Sequence, residues 1–300
     1  MIEAAARIGR SLAATAVRSA DGGAAWIAPT YHPDLHRFLL QPAPLGVFSG
    51  NAGIALFLAG LETVLGTGEF RDLAVGCFAP LRARVRQVGH DGLVRELGLG
   101  GGTGVGSLLY GLARTGTLLR EDRLLDQARD LTMLLTQRSI DADVHLDAVL
   151  GTAGLLLGLL VVHETTGEAR ALELARHCGG HLIGHRIKSE VGPRAWRTLN
   201  GSMLTGLSHG AAGISYALLR LHQATGQSEY EQAALEGIAY ERSLYVAQAK
   251  NWPDLRRSPE GQPLSGGGFL NAWCHGATGI GLARLGGLRC GLSATEALAE

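Results

Sequence analysis

The stretch that decides the fold is GTAGLLLGLLVVHETTG, which runs from residue 151 to residue 167. It opens with Gly-x-x-Gly, continues with a nearly unbroken apolar run and closes on Thr-Gly. A helix of this composition is apolar on every face, so it has to be covered on all sides. The closing glycine is the residue that most readily ends a helix in the left-handed conformation. The stretch therefore predicts a buried helix.

The same block occurs five times along the chain. Its first glycines lie at 50, 101, 151, 210 and 276, and Thr-Gly follows in the first four blocks at 67–68, 115–116, 166–167 and 225–226. A charged stretch comes after each Thr-Gly, and in 121–138 and 229–246 apolar residues recur at the spacing of one helix face. Each unit is therefore predicted to be an αα-hairpin with a buried and an amphipathic helix.

Stacked hairpins of this kind predict an all-α fold, an α/α toroid in which the apolar helices form the inner layer. The chain is interpreted as a single domain over 1–300, with a lead-in helix and loop at 1–45. Hairpin units are expected to start near 50, 101, 151, 210 and 276. The inner helices run parallel, so their N-termini should gather on one face and leave free backbone N–H groups there.

Composition excludes several classes of function. The 27 basic and 27 acidic side chains balance, which argues against a nucleic-acid partner. The 44 glycines accompany 46% apolar residues, so the chain is not disordered. The longest apolar run, 148–162, is shorter than the ~20 residues of a membrane span. Four widely spaced cysteines suit free thiols in a reducing compartment, and we expect a cytoplasmic protein.

Residues just before each Gly-x-x-Gly should line the face where the helices begin. Asp147, His209 and the pair Cys274-His275 hold these positions in the last three units, whereas Ser49 and Gly100 hold them in the first two. A carboxylate, an imidazole and a thiol are thus predicted to converge. Each also has a simpler interpretation, as a helix N-cap, a packing histidine and an inert buried cysteine.

A second group of histidines has metal-ligand spacing. His177, His181 and His185 are four residues apart, and Cys178 is adjacent. The pair Gly179-Gly180 is expected to interrupt the helix there, and the group belongs to an outer helix. We interpret it as a polar surface.

The blocks TGLSHGAAGISYALLRL (205–221) and NAWCHGATGIGLARL (271–285) resemble the lanthionine synthetase C-like family. Within that family they look most like the C-terminal cyclase domain of type 2 lanthipeptide synthetases. The resemblance runs from Trp26 to the end of the chain. It implies an α/α toroid that uses Zn²⁺ to add peptide cysteine thiols to dehydroalanine or dehydrobutyrine, which forms lanthionine or methyllanthionine. It also implies that Cys274 is the first zinc ligand, His209 the acid/base and Asp147 an assisting acid.

The resemblance carries further expectations. The family completes its zinc site with a later Cys-His pair, which would fall beyond residue 300, and its ring has more hairpins, so the toroid is expected to be incomplete. Implied partners are a dehydrated precursor peptide, a dehydratase domain or protein, and a membrane export complex through peripheral association. Activity of the chain itself stays open. The alternative is a non-catalytic peptide-binding toroid that has lost the zinc site. A glycoside-processing toroid ranks lower, because only Asp147 is in register and two carboxylates are needed.

Overall fold

A computed structural model describes residues 1–32, 35–258, 260–264 and 266–297, apart from the side chains of residues 90 and 91. Within these ranges the chain forms thirteen α-helices and three small antiparallel hairpins, which confirms the predicted all-α class. None of the described helices combines the length and the hydropathy that a membrane crossing needs. The helices are α1 (Ile2–Thr15), α2 (Asn51–Leu65), α3 (Arg71–Gly76), α4 (Ala79–Leu97), α5 (Val105–Leu119), α6 (Asp122–Met133), α7 (Gln137–Asp141), α8 (Thr152–Thr166), α9 (Ala169–Gly184), α10 (Ala211–Thr225), α11 (Ser228–Arg242), α12 (Gly276–Leu288) and α13 (Ala294–Ala297).

The inner layer consists of the helices that the glycine blocks predict. Helix α2 packs on α5, α5 on α8, α8 on α10, and α10 on α12. In α8 the side chains of Leu155, Leu156, Leu159 and Leu160 are completely buried. Burying one such side chain contributes about 1.5–3 kcal/mol, so the inner layer supplies much of the stability.

The outer layer consists of amphipathic helices, as predicted. Helix α6 packs on α5, α9 on α8 and α11 on α10. In α6 the buried residues Leu124, Ala128 and Leu131 follow the expected spacing of four and three. The predicted stretch 121–138 is nevertheless not one helix, because α6 ends at Met133 and α7 begins after a capping box built by Thr136 and Ser139.

Two glycine predictions were wrong. Gly179-Gly180 does not interrupt α9, which is one helix from Ala169 to Gly184. A Cβ on Gly179 would lie 2.4 Å from the side chain of Leu221 on α10. Gly179 therefore lets α9 approach α10 closely. In the second unit α5 begins only after Gly104, and Gly116 lies inside the helix instead of ending it. Elsewhere the prediction is confirmed, since Gly167 and Gly226 end α8 and α10 at a φ of 71°.

The small hairpins are β1–β2 (Val17–Arg18, Ala24–Ala25), β3–β4 (Ile27–His32, Arg37–Pro42) and β5–β6 (Ile187–Lys188, Arg194–Ala195). The first hairpin follows α1 and the third follows the outer helix α9, and each has a tryptophan that anchors it to the preceding helix. Trp26 donates its indole N–H to the Leu12 carbonyl at 3.0 Å, and Trp196 donates to the Leu182 carbonyl at 2.7 Å. The segments VRSADGGAAW (17–26) and IKSEVGPRAW (187–196) carry this likeness. Helix α1 with β1–β2 therefore has the arrangement of α9 with β5–β6, a repeat that our sequence analysis missed.

Candidate active site

The loops that precede the inner helices are joined into a rim. Backbone N–H groups of one loop donate to carbonyl oxygens of the next in four consecutive steps. This rim fixes the relative positions of the predicted site residues, which lie in its last three loops. The Phe48 N–H donates to the Gly102 carbonyl, the Gly101 N–H to Ala148, and the Gly102 N–H to Val149. The Val149 N–H donates to the Ser208 carbonyl, and the Leu207 and Ser208 N–H groups both donate to Cys274.

Backbone N–H groups at the starts of the inner helices are not free, contrary to our prediction. The N–H groups of Asn51, Val105 and Ala211 each donate to the carbonyl seven residues earlier, in the helix's own loop. The Thr152 N–H donates instead to the carboxylate of Asp143, at 2.8 Å. Because these donors are satisfied within the chain, they are not available to a substrate anion.

Asp147 and His209 form a hydrogen-bonded pair at the rim. The His209 Nδ1 lies 2.9 Å from the Asp147 Oδ2, and the Asp147 side chain is completely buried. The other carboxylate oxygen accepts the backbone N–H groups of Val149 and Leu150, at 2.9 and 2.7 Å. A carboxylate only accepts, so the Nδ1 of His209 carries the hydrogen and the Nε2 of the neutral ring is left as an acceptor. The His209 side chain is 18% exposed, so this pair is open to solvent on the histidine side.

Cys274 lies in the loop adjoining His209. Its carbonyl oxygen accepts the Leu207 and Ser208 N–H groups at 3.0 and 3.2 Å, and its residue is half-buried. The next residue, His275, is buried, and its ring centre lies 6.4 Å from that of His209. Burial, and then the nearby charge of Arg256, lowers the pKa of His275 to about 4, so its ring is neutral at pH 7.

A zinc centre needs at least three protein ligands. Within the described ranges no group of three or more His, Cys, Asp or Glu side chains is arranged to hold a metal ion. The described residues therefore do not fit the complete zinc site that the resemblance implies. The later Cys-His pair remains a sequence prediction.

Two aromatic side chains meet at the mouth of the site. Phe48 comes from the first rim loop and Trp273 from the last, and their ring centres are 5.8 Å apart. They are 63% and 47% exposed, respectively. They place an apolar surface directly beside Cys274.

Asp143 is a site residue that our sequence analysis missed. Its carboxylate accepts the N–H groups of His145, Leu146 and Thr152 and the hydroxyl of Thr152, which ties the Asp147 loop to the start of α8. The sequence did carry a signal for Asp143, which lies four residues before Asp147. A second carboxylate in a short loop before a helix is a candidate for capping that helix.

The histidines of α9 lie beside the segment that contains Asp143. The His177 Nε2 lies 2.7 Å from the Asp141 carboxylate, and the His181 Nε2 lies 3.0 Å from the Asp143 carbonyl. The His185 Nδ1 lies 2.8 Å from the carbonyl of His181 on the same helix. His177 and His181 therefore tie α9 to the segment that contains Asp141 and Asp143.

A second missed residue is Glu241, which is completely buried behind the fourth rim loop. It accepts the N–H groups of Gly206 and Ala212 and pairs with Arg284 at 3.1 Å. Burial raises the pKa of Glu241, and the Arg284 charge opposes that rise. This carboxylate supports the loop that carries His209.

The fold and this site together define a class of protein. The sequence model of the family described as "Lanthionine synthetase C-like protein" matches residues 41–298, most of the chain, and the chain belongs to this family. Among the solved structures that match is one titled "Nisin cyclase", with a TM-score of 0.56, 18% sequence identity, and coverage of 85% of this chain and 68% of that chain. At this identity the likeness shows the fold, an α/α toroid, as predicted. No curated protein matches the sequence.

Proposed function

We propose that the chain is a cyclase that forms thioether rings in a precursor peptide. Cysteine thiols of the peptide add to its dehydroalanine or dehydrobutyrine residues and yield lanthionine or methyllanthionine. The observation that carries this proposal is the Asp147–His209 pair on the rim, next to the loop of Cys274. Membership of the lanthionine synthetase C-like family and the likeness to a structure titled "Nisin cyclase" support it.

The proposed reaction needs one proton acceptor that later becomes a donor. The Nε2 of His209 takes the thiol proton, the sulfur bonds to the β-carbon of the dehydro residue, and the C=C electron pair moves to form an enolate. The resulting imidazolium returns the proton to the α-carbon, so atoms and electrons balance without another reagent. A side chain in this role typically contributes about 100- to 10,000-fold in rate.

Asp147 prepares His209 for this role. Its buried carboxylate holds the hydrogen on Nδ1, so Nε2 is the basic nitrogen, and it stabilises the imidazolium once the proton has arrived. Two backbone N–H bonds fix the carboxylate, so the imidazole is oriented before the peptide binds.

Zinc dependence and the type 2 synthetase assignment belong to the proposal as consequences of the resemblance. Cys274 is the zinc ligand that the resemblance implies among the described residues. The described residues do not supply the three ligands that zinc needs. The steps above are therefore assigned to protein groups alone. The substrate must already be dehydrated, so a dehydratase, as a domain or a separate protein, supplies it.

The test uses a synthetic peptide that carries one cysteine and one dehydroalanine. Ring formation removes the free thiol without changing the mass, so alkylation followed by mass spectrometry counts the remaining thiols. We expect the chain to accelerate thiol loss, His209→Ala to remove most of the acceleration, and His222→Ala to retain it. His222 is a suitable control because it lies near the C-terminal end of α10, the helix that His209 precedes. Its ring faces the carbonyl of Gln227. Equal rates with and without protein would overturn the proposal.

A non-catalytic peptide-binding toroid is the second candidate. The exposed Phe48–Trp273 pair favours it, because it offers a ready apolar contact at the mouth. This candidate predicts that a peptide changes the fluorescence of Trp273 while its thiols remain, and that chelators leave the binding unchanged.

A further inference from the structure

One turn occurs three times in the chain with the same hydrogen bonds. Its copies are RSADG (18–22), KSEVG (188–192) and RSPEG (257–261), where residue 259 lies outside the described residues. In each, the serine N–H donates to the carbonyl four residues later, and the glycine N–H donates back to the serine carbonyl. Each copy also places a cation directly before the serine. The three turns can therefore be compared position by position.

The first and third copies carry a carboxylate two residues after the serine. In the first copy, Asp21 accepts the hydroxyl of Ser19. This hydrogen bond is the main reason that the pKa of the Asp21 carboxyl is lowered. The pKa of the Glu260 carboxyl in the third copy is lowered mainly by Ser258. A carboxylate at this position thus suits the turn.

The middle copy lacks that carboxylate. Val191 occupies the position, and the hydroxyl of Ser189 has no hydrogen-bond partner among the described residues. Ser189 is 8% exposed, and it lies in the lining of the cleft described below. Lys188 precedes it and is exposed, as its counterpart Arg257 is. The middle turn therefore has the cation and the hydroxyl but no carboxylate two residues after the serine, and its Glu190 is exposed.

A cleft of about 450 Å³ lies between the middle and the third turn. Four cations and two anions line it, so its lining carries a net positive charge. The Arg256 guanidinium is paired with Asp254, whereas Arg197 donates to a backbone carbonyl. The lining includes Lys188, Ser189, Glu190, Arg197, Asp254, Arg256 and Arg257.

The cleft adjoins the crevice that contains His275. Asp254 and Arg256 line both of them. His275 follows Cys274 directly in the chain. The cleft therefore lies next to the loop that carries Cys274.

We infer that this cleft binds an acidic side chain of the peptide substrate, with its carboxylate beside Ser189 and Lys188. This inference rests on the proposed function for the identity of the peptide, but the carboxylate site is argued from the turns alone. The first turn holds a carboxylate against the equivalent serine, and the third carries a carboxylate at the same position, which favours a carboxylate over a phosphate. A charge-assisted hydrogen bond from a serine hydroxyl and a neighbouring cation is stronger than a neutral one.

The test is fluorescence anisotropy with two labelled peptides of alternating residues, one of Glu and Gly and the other of Gln and Gly. We expect the Glu peptide to bind, more weakly at high salt, and the Gln peptide to bind about tenfold or more weaker. The double variant Lys188→Ala, Arg257→Ala should lose that binding by a similar factor. Arg123→Ala is the matched control, because Arg123 is an exposed cation on the outer helix α6. Equal affinity of the two peptides, or no binding of either, overturns the inference.

The sharpest variant is Val191→Asp, which restores the carboxylate that the first and third turns carry. It should satisfy Ser189, keep the fold and abolish preference for the Glu peptide, while Val191→Ala keeps that preference. Unchanged binding by Val191→Asp with a normal unfolding curve contradicts the inference. His209→Ala separates the two proposals: it should stop thiol loss and leave binding of the Glu peptide intact. Thiol loss without a charge preference refutes only the cleft, and a charge preference without thiol loss refutes only the cyclase.

Discussion

Replacing Asp147 by Asn tests how far the imidazole of His209 depends on its buried carboxylate. The Asn oxygen can still accept the backbone N–H groups of Val149 and Leu150. Its amide group then faces the Nδ1 of His209, where a donor would meet a donor. The imidazole responds by moving its hydrogen to Nε2, and the basic nitrogen toward the substrate is lost.

The expected size of the effect follows from these contacts. Losing general acid–base catalysis slows the proposed reaction by roughly 100- to 10,000-fold, or about 3–5 kcal/mol in activation free energy. The free energy of unfolding falls by less, about 1.5–3 kcal/mol, because one hydrogen bond between charged or polarised groups is removed. Activity should therefore be lost while the protein stays folded.

Two measurements on the Asp147→Asn variant separate these effects. The thiol-loss assay gives the rate, and ¹⁵N NMR of the histidine rings gives the tautomer of His209. Asp130→Asn is the control, because Asp130 is an exposed carboxylate on an outer helix. A variant that reacts at the wild-type rate, or whose His209 ring keeps its hydrogen on Nδ1, would refute the reasoning.

Three further predictions concern stability. Gly154→Ala should lower the free energy of unfolding by about 1–3 kcal/mol or more, because the added Cβ would lie 2.2 Å from the carbonyl oxygen of Ala148. Gly180→Ala, where no atom lies within 4 Å of the added carbon, should raise it by about 0.5–1 kcal/mol. Burial lowers the pKa of His181 from its ordinary 6.5, so its contribution to stability is present above that pH and is lost as the pH falls below it. Between pH 7 and pH 5 the wild type should lose more stability than His181→Gln, as urea unfolding measures.

These stability predictions have clear contrary outcomes. Equal unfolding midpoints for Gly154→Ala and Gly180→Ala would show that the rim loops do not pack as closely as described. Parallel pH profiles for the wild type and His181→Gln would show that this histidine is not held neutral against the Asp143 loop.

The layers of the fold could be predicted because the apolar pattern has the period of a helix. A block such as 151–167 is apolar on all faces and has to be buried, whereas α6 is apolar on one face only. The boundary of α5 could not be read from the same pattern. Gly101 and Gly102 are held in the rim by hydrogen bonds to a neighbouring loop, and that contact is tertiary.

The sequence predicted where the candidate site residues lie, but it did not predict the residues that hold their loops in place. Repeat phase placed Asp147, His209 and Cys274 in adjoining loops because equivalent residues of stacked hairpins lie on one face. The sequence did not reveal that loop carbonyls satisfy the helix N-termini, because local folding of each loop decides those bonds. The supporting residues, half-buried Asp143 and buried Glu241, lie outside the repeated blocks, so the pattern gave no reason to single them out.

The most direct test of the cyclase proposal is the rate of thiol loss from the dehydroalanine peptide with wild-type protein, with His209→Ala and without protein. The account predicts a wild-type rate well above that of the peptide alone. It predicts a His209→Ala rate lower by roughly 100- to 10,000-fold, down to the background rate if that is reached first. It would be contradicted by a wild-type rate no higher than background, or by a His209→Ala variant that forms the ring as fast as the wild type.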